Sequence, residues 1–187
     1  MTPTPAHDAV LLRPLERGDI HALALLVRSN RTFLAGSGPL RPDEYFTDLG
    51  QERAVLARLE AAENGTAYPM VIVDRQGALI GTLNLNSIIR GAFQSTSIGY
   101  WVAQPHNGRG IASAAVAAAK RVAFTELGLH RIQAETLVDN VASQRVLVKN
   151  GFVKYGVAPD YLKIAGRWQE HALFQTVAPA ATFPGGV

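Results

Sequence analysis

The chain has 187 residues, of which 48% are hydrophobic, enough for one domain with a sizeable core. It contains no cysteine, which excludes disulfides, thiolate metal sites and a cysteine nucleophile. The formal net charge of +3 comes from basic residues scattered without a dense run, which argues against a nucleic-acid-binding stripe yet suits a polyanionic small ligand.

Taken in chain order, Met1–Asp8 has neither a basic start nor an apolar core, so it does not read as a secretory signal. Residues 1–7 and 178–187 are rich in Pro, Gly, Ala and Thr and predict flexible tails around a single domain at 8–177. Val10 to Arg13 predicts a strand, and Asp19 an N-cap for a first helix. A second helix is expected from Arg41-Pro42-Asp43-Glu44 to Ala62, stopped at Asn64-Gly65. Tyr68–Val73 and Ala78–Leu85 predict strands joined by the turn Asp74-Arg75-Gln76-Gly77. Gln94–Val102 predicts another strand, Ile111–Leu127 a helix ended by Gly128, Arg131–Val138 a strand and Val141–Asn150 a short helix. Phe152–Val157 and Trp168–Gln175 close the sheet. This order predicts a mixed α/β sheet with helices crossing between strands. The longest apolar helical run is broken by Lys120 and Arg121 and is too short to span a bilayer, so a soluble, cytoplasmic protein is expected.

The most informative stretch is Gln104-Pro105-His106-Asn107-Gly108-Arg109-Gly110-Ile111-Ala112, which sits between a strand and an alanine-rich helix. Strand, glycine loop and helix in that order aim the free amides and the positive end of the helix at one spot, which favours phosphate. Gly108 and Gly110 tolerate left-handed backbone, and Arg109 adds a cation.

Downstream lie Asn140-Val141-Ala142-Ser143 and Lys149-Asn150-Gly151-Phe152. With the glycine loop, these resemble the acyl-CoA-binding core of the GNAT acetyltransferases, whose loop pattern is Arg/Gln-x-x-Gly-x-Gly/Ala. Asn107 departs from that first position, so the resemblance implies the backbone part of the cradle, from Gly108 to Ser113, but not a contact from that side chain. Arg90-Gly91-Ala92-Phe93, Leu129-His130-Arg131-Ile132, Asp160-Tyr161-Leu162 with Gly166-Arg167-Trp168, and Asn30-Arg31-Thr32-Phe33-Leu34 narrow the likeness to the RimJ/RimL type of ribosomal-protein N-terminal acetyltransferases. The likeness runs from about Leu11 to Phe174. It implies a GNAT fold with a central sheet of about seven strands, splayed fourth and fifth strands, acetyl-CoA as co-substrate, no metal, and a monomer or homodimer.

The resemblance also implies roles. Backbone groups of Trp101 and Val102 would hold the pantetheine arm and supply an oxyanion donor. Asn140 either bonds the pantetheine or caps the following helix. A general-acid tyrosine common in the family falls on Leu147, which cannot donate; the RimJ/RimL type instead has serine at the position of Ser143, whose hydroxyl would protonate the thiolate, directly or through water, unless it only bonds its own backbone. Asp160 is the candidate base, with Glu135 its rival and an exposed charge the plain alternative for both. Phe33, Arg90, Phe93 and Gln94 would line the acceptor mouth. His106, His130 and His171 read as structural, and no histidine pair has metal spacing. The expected reaction is direct acetyl transfer to a protein N-terminal α-amine, with a small-molecule amine or antibiotic as the alternative acceptor and a non-catalytic acyl-CoA module as a remote one.

Overall fold

A computed structural model describes residues 10–179 of the chain; the segments 1–9 and 180–187, which hold most of the expected tails, lie outside the described residues. The elements are β1 (Val10–Pro14), α1 (Ile20–Ser29), α2 (Arg31–Ala35), α3 (Asp48–Glu63), β2 (Tyr68–Asp74), β3 (Leu79–Ile89), β4 (Ser95–Val102), α4 (Ile111–Arg121), β5 (Arg131–Leu137), α5 (Val141–Lys149), β6 (Val153–Ile164) and β7 (Arg167–Val177). The strands form one seven-stranded sheet in the order β1-β2-β3-β4-β5-β7-β6. All neighbours are antiparallel except β4 and β5.

That parallel pair is brief. Ser95, Thr96 and Ser97 pair with Arg131, Ile132 and Gln133, and beyond them β4 runs on to Val102 and β5 to Leu137 with no further pairing between the two. The expected splay is therefore present, as a wedge that opens toward the carboxyl ends of both strands.

Alternation along the strands sends side chains to two faces. Ile72, Leu83, Ile98, Val102, Ile132 and Ala134 pack with Ala115, Val116 and Ala119 of α4 and Leu147 of α5. Val71 and Val73 point the other way and pack with Leu23 of α1 and Val55 of α3. Each fully buried aliphatic side chain of this kind contributes roughly 1.5–3 kcal/mol relative to an exposed one. In α4, alanine is both the best helix former and small enough to bring the helix close to the sheet.

Several elements depart from the sequence reading. The second helix is interrupted: a 3₁₀ turn (Asp43–Phe46) precedes α3, and Thr47 adopts extended backbone between them and caps α3 by accepting from the Gly50 N–H at 3.1 Å. Asp19 stands at the N-cap of α1 but makes no cap bond with that helix; its carboxylate accepts from the Glu16 N–H and from both Arg13 guanidinium nitrogens, at 2.9 and 2.6 Å. The helix after the glycine loop leaves α geometry at Val122 and ends as a π turn through Glu126, where the Leu127 N–H donates to the Val122 carbonyl. β6 and β7 are longer than expected and meet at Ala165-Gly166, whose φ values of 48° and 79° make a two-residue hairpin turn. Ala178, read as the start of a tail, is buried and donates its N–H to the His130 carbonyl.

Candidate active site

The cofactor-side loop is anchored before it turns. Ala103 N–H donates to the Ile80 carbonyl, and Gln104 N–H donates to the Oδ1 of Asn30 at 2.9 Å. Asn30 is buried, and its amide nitrogen donates back to the Leu26 carbonyl, so the end of α1 holds the entry of the loop. Asn107 is extended and exposed; Gly108 and Gly110 then take left-handed backbone with φ of 75° and 79°. A Cβ on Gly108 would meet nothing within 4 Å, so backbone angle rather than crowding requires the glycine there, and the loop's surface is open to a ligand. Gly110 is the N-cap of α4, whose first amides at Ile111, Ala112 and Ser113 follow an exposed Arg109. Ser113 itself is buried and held by the Asn150 side chain, which donates to its carbonyl at 3.2 Å. The combination of positive φ, open space and a helix start fits the phosphates of a CoA moiety.

At the open end of the wedge, Trp101 is half-buried opposite Thr82, and Val102 is buried opposite Gly81. A Cβ on Gly81 would lie 2.5 Å from the Trp101 carbonyl oxygen, so this glycine permits the close approach of β3 and β4 there. Asn140 caps α5: its Oδ1 accepts from the Ser143 N–H at 3.0 Å. Ser143 Oγ lies 2.9 Å from the hydroxyl of Tyr100, and the Ser143 carbonyl is a second acceptor within reach of that hydroxyl, at 3.3 Å. Burial pushes the Tyr100 phenol up, and its bond with Ser143 pulls partly the other way. The ring of Tyr100 packs on the core, and its hydroxyl meets the candidate acid. Leu147 is fully buried, so it serves the core.

On the other face of the sheet, a cleft of about 330 Å³ is lined by Ser87, Ile89, Phe93, Ser95, Thr96, Ser97, Gln133, Glu135, Tyr161 and Leu162. Burial pushes the Glu135 carboxyl above its ordinary value. Burial, followed by the charges of Glu135 and Tyr155, also raises the Tyr161 phenol. Asp160, the sequence candidate for the base, sits in the irregular stretch of β6 between Ala158 and Leu162 with φ of 47°; it is exposed and does not line this cleft. The acceptor-side residues are likewise divided. Phe93 lines the cleft. Arg90 donates to the Leu127 carbonyl at the end of the π turn. Gln94 has φ of 39°, and its carbonyl accepts from the N–H groups of His130 and Arg131, so it ties the β3–β4 loop to β5. Phe33 is exposed on α2 and lines neither cleft described here.

A second cleft, also about 330 Å³, adjoins the exit of β5 and the start of β7, between Leu137–Asp139 and Arg167–Glu170. His171 is buried, with Nδ1 2.8 Å from the Gln169 carbonyl and its ring 5.8 Å from that of Tyr161, which is a structural setting. Among the described residues, no group of three or more His, Cys, Asp or Glu is placed to hold a metal ion. Also among the described residues, no helix is long and apolar enough to cross a membrane.

A wedge between parallel strands beside a glycine-led helix start is what the resemblance leads one to expect, and comparison with known proteins decides the matter. The model of the acetyltransferase (GNAT) domain matches residues 9–153. The chain belongs to the GNAT acetyltransferases. It is 38% identical over 171 residues to Probable N-acetyltransferase YjcK of Bacillus subtilis (strain 168), covering 91% of this chain and 94% of that one. It is 31% identical over 179 residues to the [ribosomal protein uS5]-alanine N-acetyltransferase of Escherichia coli (strain K12), covering 95% and 92%. Among solved structures, Mycobacterium smegmatis RimJ in complex with CoA-disulfide superposes with a TM-score of 0.87 at 30% identity, covering 94% of this chain and 84% of that one.

The GNAT chain is thus an N-acetyltransferase, and the surroundings of Glu135 and Tyr100 were not legible in the sequence. Glu135 was visible only as a rival because its burial depends on what packs above the sheet. Tyr100 lay in plain view beside Trp101, but only the approach of α5 to β4 gives its hydroxyl a partner.

Proposed function

We propose that this GNAT enzyme transfers acetyl from acetyl-CoA directly to the N-terminal α-amine of a protein, of the kind found on ribosomal proteins. The observation that carries this reading is the chemistry of the Glu135 cleft. Among the residues lining it, Glu135 is the one carboxylate, set among Ser95, Thr96, Ser97 and Gln133 with Phe93 and Tyr161 at its sides. One carboxylate suits an acceptor with one amine, whereas a polyamine would need several. The relation to a uS5-alanine N-acetyltransferase over 95% of the chain supports the same acceptor class.

In this mechanism the phosphates rest on the amides from Gly108 to Ser113, with Arg109 beside them. The thioester lies in the wedge, between the backbone of Trp101 and Val102 on one side and Asn140 and Ser143 on the other. Glu135 takes a proton from the amine, directly or through water. An α-amino group ordinarily titrates near 7.7–8.0, so a carboxyl raised by burial is a better-matched base than an exposed one. Nitrogen attacks the thioester carbon, a β4 backbone N–H accommodates the oxyanion, and Ser143 donates a proton to the leaving sulfur. Placement does most of the rest, since good orientation can be worth roughly 7–11 kcal/mol.

The reading is tested by incubating the protein with acetyl-CoA and short peptides beginning with Ala or Ser, followed by mass detection. One added acetyl is expected on the free N-terminus and none on the same peptide with its amine blocked. Acetylation of small amines with no peptide modified would overturn the protein N-terminus as acceptor and leave acetyl transfer standing.

A further inference from the structure

The geometry points to Tyr100 as a positioning residue that turns the Ser143 hydroxyl toward the departing sulfur. This rests on the acetyl-transfer reading above. Ser143 lies in the first turn of α5, where a serine usually bonds its own backbone. Here its N–H donates to Asn140 Oδ1 at 3.0 Å, and its hydroxyl turns away from its own helix. The shortest contact of Ser143 Oγ is instead the Tyr100 hydroxyl at 2.9 Å.

Tyr100 stands three residues beyond the last β4–β5 pair at Ser97, in the unpaired part of β4. Its side chain follows Ile98 and Val102 to the α4–α5 face, so its bond to Ser143 joins β4 to α5 beside the open wedge. The Ser143 carbonyl 3.3 Å away can only accept. Both neighbours of the phenolic proton therefore belong to Ser143. When Tyr100 donates along the shorter contact, the serine oxygen is satisfied and its own proton is free for a third group. Burial favours the protonated phenol, so Tyr100 keeps its proton throughout.

The amine nitrogen forms a bond to the thioester carbon, and the C–S bond breaks with its electron pair left on sulfur. Starting from the ammonium, nitrogen gives up two protons. Glu135 takes the first before attack and passes it to solvent; the second leaves once the N–C bond has formed and replaces, through water, the proton that Ser143 gives to sulfur.

The test compares wild type, Tyr100→Phe, Ser143→Ala and the double variant by initial rates with acetyl-CoA and a free Ala-peptide. Tyr100→Phe keeps the ring and its packing. It is expected to lower kcat about tenfold, the effect of losing one hydrogen bond near the transition state, with KM for acetyl-CoA nearly unchanged. The double variant is expected to be no slower than Ser143→Ala alone, because the two hydroxyls act as one unit. Wild-type kcat in Tyr100→Phe, or a further loss added on top of Ser143→Ala, overturns the proposal. If Tyr100→Phe does not fold, the phenol is titrated by ultraviolet absorbance in wild type and in Ser143→Ala. Loss of Oγ must move the Tyr100 titration further up, and an unmoved titration overturns the proposal. A wild type that acetylates no amine at all would instead remove the acetyl-transfer reading on which this one rests.

Discussion

Glu135 is a carboxyl whose ionisation folding opposes, and its effect on stability has a definite sign. Its pKa is raised by burial above the ordinary value of 4.5. The folded state therefore binds the proton more tightly than the unfolded state, and stability falls as pH rises from the ordinary value through the raised one. Glu135→Gln is expected to raise Tm at neutral pH, with the gain fading as pH drops below the ordinary carboxylate range; an unchanged or lower Tm at neutral pH would contradict this. Asp19 behaves in the opposite way. Burial works against its charge, but the Arg13 guanidinium and the Glu16 N–H outweigh it and hold the carboxyl below its ordinary value. Its contribution is present above the ordinary value and lost as pH falls through the depressed one. Asp19→Ala should cost about 1–3 kcal/mol in urea denaturation at neutral pH, with the difference shrinking in acid. Neither environment was legible in the sequence. Asp160 and Glu135 look alike as letters. Alternation on β5 sets Glu135 half-buried in the cleft that Tyr161 also lines, while a break in the β6 register leaves Asp160 exposed.

At the scale of elements, most strands and helices were legible because periodicity and turn residues agreed, as at Asp74–Gly77, where the Asp74 side chain accepts from the N–H groups of Gln76 and Ala78. The misread helix shows where that signal ends. Gly50 in the first turn of α3 is the reason the 3₁₀ turn can fold back on it: a Cβ there would stand 1.9 Å from the Glu44 carbonyl oxygen. No local propensity encodes that contact. Gly50→Ala should destabilise by about 1–3 kcal/mol, although glycine to alanine in a helix ordinarily stabilises; a gain in Tm would refute the role given to this contact. The glycine loop, in contrast, was readable because left-handed backbone leaves a mark in composition. Gly110→Ala forces a side chain into φ of 79°, at a cost of about 1–2 kcal/mol, and should also raise the dissociation constant for acetyl-CoA by calorimetry. Affinity equal to wild type would remove the loop from the cofactor site.

For the whole molecule, the site follows from a sheet whose two central strands part company. The faces are distinct. Tyr100 projects with the α4-side core, while Glu135 alternates away from Ile132 and Ala134 to the opposite face, so the proposed acid and base approach the wedge from its two sides. The family, the sheet and the splay could be read in advance from motifs that sit in local sequence. The bonds of the residues expected at the acceptor mouth could not: Arg90 and Gln94 tie the β3–β4 loop to the start of β5 and the turn before it. The central claim is that the amine loses its proton on the Glu135 side of the wedge. The measurement that tests it most directly is the pH dependence of kcat for acetylation of a free Ala-peptide by wild type, Glu135→Gln and Asp160→Asn. Wild-type kcat is expected to fall as pH drops through the raised Glu135 carboxyl, Glu135→Gln to lose about 10²–10⁴-fold in kcat, and Asp160→Asn to stay near wild type. A Glu135→Gln enzyme with wild-type kcat and profile, or a loss carried by Asp160→Asn instead, would contradict it.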